Sequence, residues 1–147
     1  MNLSERLAED QKQAMRDRDK FRLSVIRMVR AAAKYREIEA GSALTDDDMF
    51  AVLQKELKQR RDSLQAFESA GRADLADAAR AEIEILSGYL PSQLPEAELR
   101  DMVTNIIASV GAVGKSDMGK VMAQLMPQIR GRADGKLAQQ IVQSLLT

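Results

Sequence analysis

Apolar residues recur every three or four positions along most of this chain, which is the spacing of one face of an α-helix. The period predicts four helices in the first part of the chain, over residues 3–17, 20–40, 45–71 and 74–86. The residues predicted to face inward include Leu7, Met15, Val29, Ile38, Leu53, Leu75 and Leu86. Four helices with short connections are typical of a small bundle or of paired helical hairpins.

Residues that start and stop helices support these bounds. Asn2 or Ser4 is predicted to cap the first helix, and Gly41 to end the second. Thr45 precedes three aspartates, so its hydroxyl is predicted to cap the third helix while the acids favour the positive end of the helix dipole.

The segment Tyr89–Pro95 interrupts the helical pattern. It contains Pro91 and Pro95, and a proline inside a continuing helix lacks the N–H and clashes with the preceding turn. We therefore predict a hinge here and two domains, residues 1–90 and 91–147. Pro95 is predicted to be the first residue of the next helix.

Three shorter helices are predicted in the second domain. They cover about 95–110, then Ser116 to Pro127 with Ser116 as cap, and a last one that begins near Asp134. A unit of this size is near the lower limit for independent folding. The predicted fold class is all-α, with an N-terminal domain resembling a four-helix bundle, followed by a small three-helix domain.

Two absences from the composition narrow the possible chemistry. The chain has no cysteine and no histidine, so thiolate zinc sites, cysteine nucleophiles and the commonest general base are excluded. Carboxylate pairs such as Glu82/Glu84 lie two positions apart and do not share a helix face. We predict no catalytic residue, no metal and no cofactor.

The predicted location is the cytoplasm. No apolar stretch approaches the roughly 18 residues that span a membrane. The first residues also lack the apolar core of a signal peptide. We predict no membrane partner.

The segment Gly111–Ser116 resembles a phosphate-binding loop, but its context differs. A nucleotide-binding loop needs Gly-x-x-x-x-Gly-Lys-Ser/Thr between a strand and a helix, whereas here Ser109 holds the first glycine position and a helix precedes the loop. A helix-to-helix turn without nucleotide is the favoured interpretation. Lys115 is still expected to face solvent and to be available to a phosphate.

The segment Gln128–Lys136 is the most informative for binding. Glycines alternate with basic residues just before a predicted helix whose N-cap is Asp134, and helix N-termini favour phosphate. Glycines also let a nucleic-acid backbone approach while Arg and Lys supply the counter-charge. A solvated loop with a cap is an equally good interpretation on these grounds. The candidate RNA-binding residues are Lys115, Lys120, Arg130, Gly131, Arg132, Gly135 and Lys136, predicted to form one basic patch.

Two further basic stripes are predicted on the first four helices. Arg27, Arg30 and Lys34 share one helix face, and Lys55, Lys58 and Arg61 share another. Such stripes are usually solvated surfaces. A second RNA-facing surface is the less favoured interpretation.

The segments Tyr89-Leu90-Pro91-x-Gln93-Leu94 and Gly119–Met122, together with Gly131-Arg132-Ala133-Asp134-Gly135-Lys136, resemble the GatB/YqeY family. The resemblance covers essentially the whole chain and is closest to stand-alone YqeY-like proteins. It implies a two-domain helical fold related to the tail of the B subunit of tRNA-dependent amidotransferases. That tail helps to hold misacylated tRNA, and the resemblance places the stretch Gly131–Lys136 at its tRNA-facing end.

The resemblance does not imply amidotransferase activity, because both the kinase-like cradle of the B subunit and the amidase subunit are missing. The leading hypothesis is a non-catalytic accessory protein that binds tRNA or another structured RNA and works beside an aminoacyl-tRNA-handling enzyme. The rival is a protein-interaction adaptor using the Met-rich helix Met118–Met126. A minor alternative is a component of a glutamine-dependent carbon–nitrogen ligase.

Overall fold

A computed structural model describes residues 1–146 of the chain, and these residues contain helices and no strand. The chain divides into two compact units, Met1–Pro91 and a second that begins at Ser92. The helices are α1 (Leu3–Arg16), α2 (Lys20–Ala40), α3 (Asp46–Ser69), α4 (Ala73–Ser87), α5 (Glu96–Val110), α6 (Met118–Ile129) and α7 (Gly135–Leu145). The predicted all-α class is confirmed, with four helices in the first unit and three in the described part of the second.

The predicted caps of the first unit are present. The side chain of Asn2 accepts a hydrogen bond from the backbone N–H of Glu5 at 2.8 Å, and Thr45 accepts one from Asp48 at 3.2 Å. Gly41 ends α2 in the left-handed conformation at φ 71°, which costs a glycine nothing. These local signals fix where the helices start and stop before any packing is considered.

The four helices of the first unit pack in a bundle-like arrangement around one apolar core. Its fully buried side chains come from all four helices: Leu7, Ile26, Val29, Met49, Leu53, Leu57 and Leu86. Three residues predicted to face inward are instead exposed, namely Met15 (53%), Ile38 (70%) and Leu75 (36%). Each lies in a terminal turn of its helix, where the apolar period continues although a neighbouring helix no longer covers it.

The three helices of the second unit surround a separate core. It is formed by Leu99 and Val103 of α5, Val121, Leu125 and Ile129 of α6, and Ala138, Ile141 and Val142 of α7. Met118, Met122 and Met126 are half-buried and pack against this core.

Some predicted bounds in the second unit are wrong. Pro127 does not stop α6, which continues through it to Ile129 because Ile129 is fully buried and packing holds the last turn. Ser116 does not cap α6; it lies in a 3₁₀ turn, Lys115–Asp117, that leads into the helix. Pro95 precedes α5 at the N-cap position instead of being its first residue.

None of the helices in the described chain is both long enough and apolar enough to cross a membrane.

Candidate nucleic-acid interface

The segment Arg130–Lys136 connects α6 to α7 and includes the first two residues of α7; we call it the loop between α6 and α7. It contains most of the residues predicted to bind RNA, and its backbone is tightly turned. Gly131 takes the left-handed conformation at φ 72° and is buried. The backbone N–H groups of Arg132 and Ala133 both donate to the carbonyl of Ile129, at 2.8 and 3.1 Å. The loop therefore closes directly onto the end of α6.

Three hydrogen bonds join this loop to the start of the second unit; we call them the linker–loop contact. The Gln93 amide donates to the Gly131 carbonyl at 2.7 Å, and the Leu94 backbone N–H donates to the Arg132 carbonyl at 2.9 Å. The Arg132 guanidinium donates to the Ser92 carbonyl at 3.1 Å. The contact ties the loop to the residues that precede α5.

Two of the three segments that carry the family resemblance, Tyr89–Leu94 and Gly131–Lys136, are thus hydrogen-bonded to each other in the folded chain. Ser92, Gln93 and Leu94 were predicted to belong to a domain boundary, and Gln93 and Leu94 to a family motif, but their hydrogen bonds to the loop were not predicted. The signal available was a glutamine between two prolines, Pro91 and Pro95, where a backbone without regular partners needs side-chain donors.

The N-terminus of α7 is already occupied by a negative charge. Asp134 caps the helix as predicted, and its carboxylate accepts the backbone N–H of Lys136 at 3.1 Å. An incoming phosphate would meet that carboxylate before the free N–H groups of the helix end. Binding at this loop must therefore rely on side-chain cations.

The predicted residues of this loop differ in their solvent exposure. Arg130 and Lys136 are exposed, Arg132 and Gly135 are half-buried, and Gly131 is buried. Arg130 and Lys136 are the exposed cations of this loop, and the half-buried Arg132 donates to the Ser92 carbonyl.

The second group of predicted residues lies around the loop between α5 and α6. The Asp117 carboxylate closes this loop by accepting the Val113 backbone N–H at 3.0 Å, and it lies 3.8 Å from the Lys120 ammonium. Lys115 is exposed in the 3₁₀ turn. A helix precedes the loop, as predicted, so the fold here differs from that of a nucleotide-binding loop.

The structure does not bring all the predicted cations together. Lys115 and Lys120 lie at the start of α6, whereas Arg130 and Lys136 lie beyond its end. Lys120 and Arg130 are ten residues apart, which is about 15 Å along a helix axis. The predicted patch is therefore two pairs of cations at opposite ends of α6.

Among residues 1–146, no three acidic side chains lie close enough together to hold a metal ion.

Comparison with known protein families gives a match to the YqeY-like protein family over residues 4–146. The chain belongs to the YqeY-like family. This family is related to the C-terminal tail of the amidotransferase B subunit, as the two sequence motifs indicated.

Curated relatives of this YqeY-like chain occur in fungi and are named "Altered inheritance of mitochondria protein 41, mitochondrial". The relative from Pyrenophora tritici-repentis is 32% identical over 131 residues, covering 87% of this chain and 71% of the relative. The relative from Lachancea thermotolerans is 35% identical over 108 residues, covering 71% and 57%. That from Saccharomyces cerevisiae (strain YJM789) is 29% identical over 131 residues, covering 88% and 69%.

These names contradict the predicted cytoplasmic location, because each describes a mitochondrial protein. The prediction used the lack of an apolar signal-peptide core, which argues only against secretion. Mitochondrial targeting segments are amphipathic and arginine-rich, so the lack of an apolar core does not argue against them.

Proposed function

We propose that this YqeY-like protein is a non-catalytic accessory module that binds folded RNA, with tRNA as the favoured class, through its second unit. The observation that carries the proposal is the loop between α6 and α7. It presents Arg130 and Lys136 to solvent from a backbone that the linker–loop contact holds in place. A preorganised pair of cations contacts phosphates without first losing the freedom of a mobile loop.

The composition of the second unit favours backbone contacts over base recognition. All five aromatic residues, Phe21, Tyr35, Phe50, Phe67 and Tyr89, precede Ser92. The second unit therefore has no aromatic ring on which an unpaired base can stack. Such stacking is a main interaction in the binding of single-stranded nucleic acids. Exposed lysines and arginines suit the regular phosphates of a folded RNA.

Kinship supports tRNA as the RNA class. The related tail of the amidotransferase B subunit helps to hold misacylated tRNA, and the matching stretch of this chain is Gly131–Lys136. The chain lacks the cysteine and histidine that would serve catalysis most readily, which favours a binding role.

The adaptor hypothesis is less favoured because of the position of its methionines. Met118, Met122 and Met126 are half-buried against the core of the second unit, so they do not form a free apolar face. A partner that captured them would have to open that core.

The proposal is tested by equilibrium binding of fluorescently labelled RNAs at one fixed salt concentration. A tRNA transcript should bind at least about tenfold more tightly than an unstructured single strand of equal length, because only the tRNA presents ordered phosphates. Equal affinity for both RNAs, or a preference for the single strand, would contradict a folded-RNA function.

A further inference from the structure

Helix α2 of the first unit has an unusual distribution of charge. Residues 20–36 contain six basic residues and no acidic one, although the whole chain has formal net charge zero. The six are Lys20, Arg22, Arg27, Arg30, Lys34 and Arg36. An acid-free run of this length on a helix departs from the mixed charges of an ordinary solvated surface.

Three of these cations line a single groove. Arg27, Arg30 and Lys34 follow one another at helical spacing, are all exposed, and border a groove of about 550 Å³. The floor of the groove includes Leu7 and Met49, each 1% exposed and part of the core. Because a packed core lies beneath it, the groove does not depend on a mobile loop.

The cations of the groove are available for an external anion. Arg27 and Lys34 form no ion pair within residues 1–146, while Arg30 donates to the Gln11 side chain at 2.5 Å, which orients its guanidinium. Glu37 is the one acid among the described residues that line the groove, and it lies in the C-terminal part of α2 beyond Lys34. The rest of the wall that α2 contributes is positively charged or apolar.

We propose that this groove, lined by Arg27, Arg30 and Lys34, binds the phosphate backbone of RNA, giving the first unit a binding surface of its own. Arg27 and Lys34 are seven residues apart, about 10 Å along the helix. That span matches roughly three phosphates of one strand at the axial spacing of a duplex. Three aligned cations therefore fit a polyanion better than a single small anion.

The other extended anionic partner, a lipid surface, fits this helix less well. A helix that lies on a membrane inserts a broad apolar face between the lipids. The apolar face of α2, formed by Val25, Ile26 and Val29, is at most 2% exposed because it packs in the core. The apolar side chains that α2 does expose, Phe21 in its first turn and Tyr35 and Ile38 near its end, do not form one broad face.

The test compares three double variants of the full chain in tRNA binding across a salt titration. Arg27→Ala/Lys34→Ala removes the first and last cations of the groove. Arg72→Ala/Arg80→Ala is the matched control, because it also removes two charges, but from exposed arginines already paired with Asp74, Glu68 and Asp77. Arg130→Ala/Lys136→Ala reports separately on the second unit.

The groove variant should flatten the plot of log affinity against log salt by up to about two units, one for each cation removed. The control should keep the parental slope. This outcome supports the groove whether or not the variant of the second unit also binds more weakly, so the two variants test the groove and the loop separately. A parent chain that binds no tRNA would contradict both proposals. A variant that restores charge, Arg27→Lys/Lys34→Arg, should recover the parental slope.

A groove variant with the slope of the control would overturn the proposal. It would also be overturned if the parent bound phosphatidylserine vesicles through Arg27 and Lys34 while its RNA affinity was insensitive to the double variant. Circular dichroism melting shows that each variant is folded, and these exposed positions should leave the melting temperature nearly unchanged.

Discussion

At the scale of single residues, Tyr89 shows how a buried polar group is held in the first unit. Its side chain is 4% exposed, and its hydroxyl donates to the Asp10 carboxylate at 2.5 Å. The Arg6 guanidinium stacks over the ring, 4.6 Å from its centre, and also donates to the Gly88 carbonyl at 3.2 Å. Together these contacts fasten the end of the first unit to α1.

The pKa of the Tyr89 phenol is raised to about 12. Burial is the largest cause, and the hydrogen bond to Asp10 is the second. Because the folded state disfavours the phenolate, the contribution of Tyr89 to stability is complete below about pH 10. It disappears as the pH rises from about 10 towards 12. In the variant Tyr35→Phe, where Tyr89 is the one remaining tyrosine, phenolate absorbance should rise with a midpoint near 12 in the folded protein. In concentrated urea the midpoint should be about 10; a midpoint of about 10 without urea would show that Tyr89 is not held in this way.

Arg132 was predicted to bind RNA phosphates, and in the structure it also has a structural role. The sequence predicted it as one cation of an RNA-binding patch. Replacing a cation whose side chain contacts only solvent changes stability by less than about 0.5 kcal/mol. In the structure its guanidinium donates to the Ser92 carbonyl from a half-buried position.

We therefore expect Arg132→Ala to lower the free energy of unfolding by about 1–2 kcal/mol, because this solvent-exposed bond should contribute less than the roughly 1.5–3 kcal/mol typical of a hydrogen bond to a charged group. Lys136→Ala, at an exposed position of the same loop, should change it by less than about 0.5 kcal/mol. Urea unfolding of both variants measures the difference. Equal stabilities would show that the bond to Ser92 does not hold the loop.

At the scale of helices and turns, the sequence predicts elements better than their ends. Asn2, Thr45 and Asp134 cap helices as expected, because capping depends on neighbours only two or three residues away. Pro127 was wrongly predicted to end α6, because a proline disfavours the helix locally. The burial of Ile129, which depends on tertiary packing, stabilises the last turn instead. The glutamine between two prolines indicated a need for hydrogen bonds, but the partners of the linker–loop contact could not be predicted, since they lie about forty residues away.

The turn at Gly131 gives a prediction at this scale. Its φ of 72° lies in the left-handed region, so Gly131→Ala should destabilise the protein by about 1–2 kcal/mol. Gly119 is the matched control, because it lies within α6 and a Cβ there would meet nothing within 4 Å. Gly119→Ala should stabilise by about 0.5–1 kcal/mol, since alanine favours helix. Thermal melts that shifted in the same direction for both variants would contradict the assigned turn.

At the scale of the whole molecule, the chain contains two units that each have an apolar core and a cationic surface. The four-helix and three-helix organisation followed from periodicity and two prolines, because helix formation and core burial leave a repeating pattern. The positions of the cations on the surface could not be predicted from the sequence as readily. Lys115, Lys120, Arg130 and Lys136 were expected in one patch, yet α6 separates them into two pairs.

The central claim, that the loop between α6 and α7 contacts RNA phosphates, is tested most directly by the salt dependence of tRNA binding. Arg130→Ala/Lys136→Ala removes its two exposed cations and leaves the linker–loop contact intact. We expect this variant to bind more weakly, with a slope of log affinity against log salt that is flatter by up to about two units. Arg72→Ala/Arg80→Ala should retain the parental slope. If the loop variant binds tRNA as the parent does across the whole titration, this loop does not contact RNA.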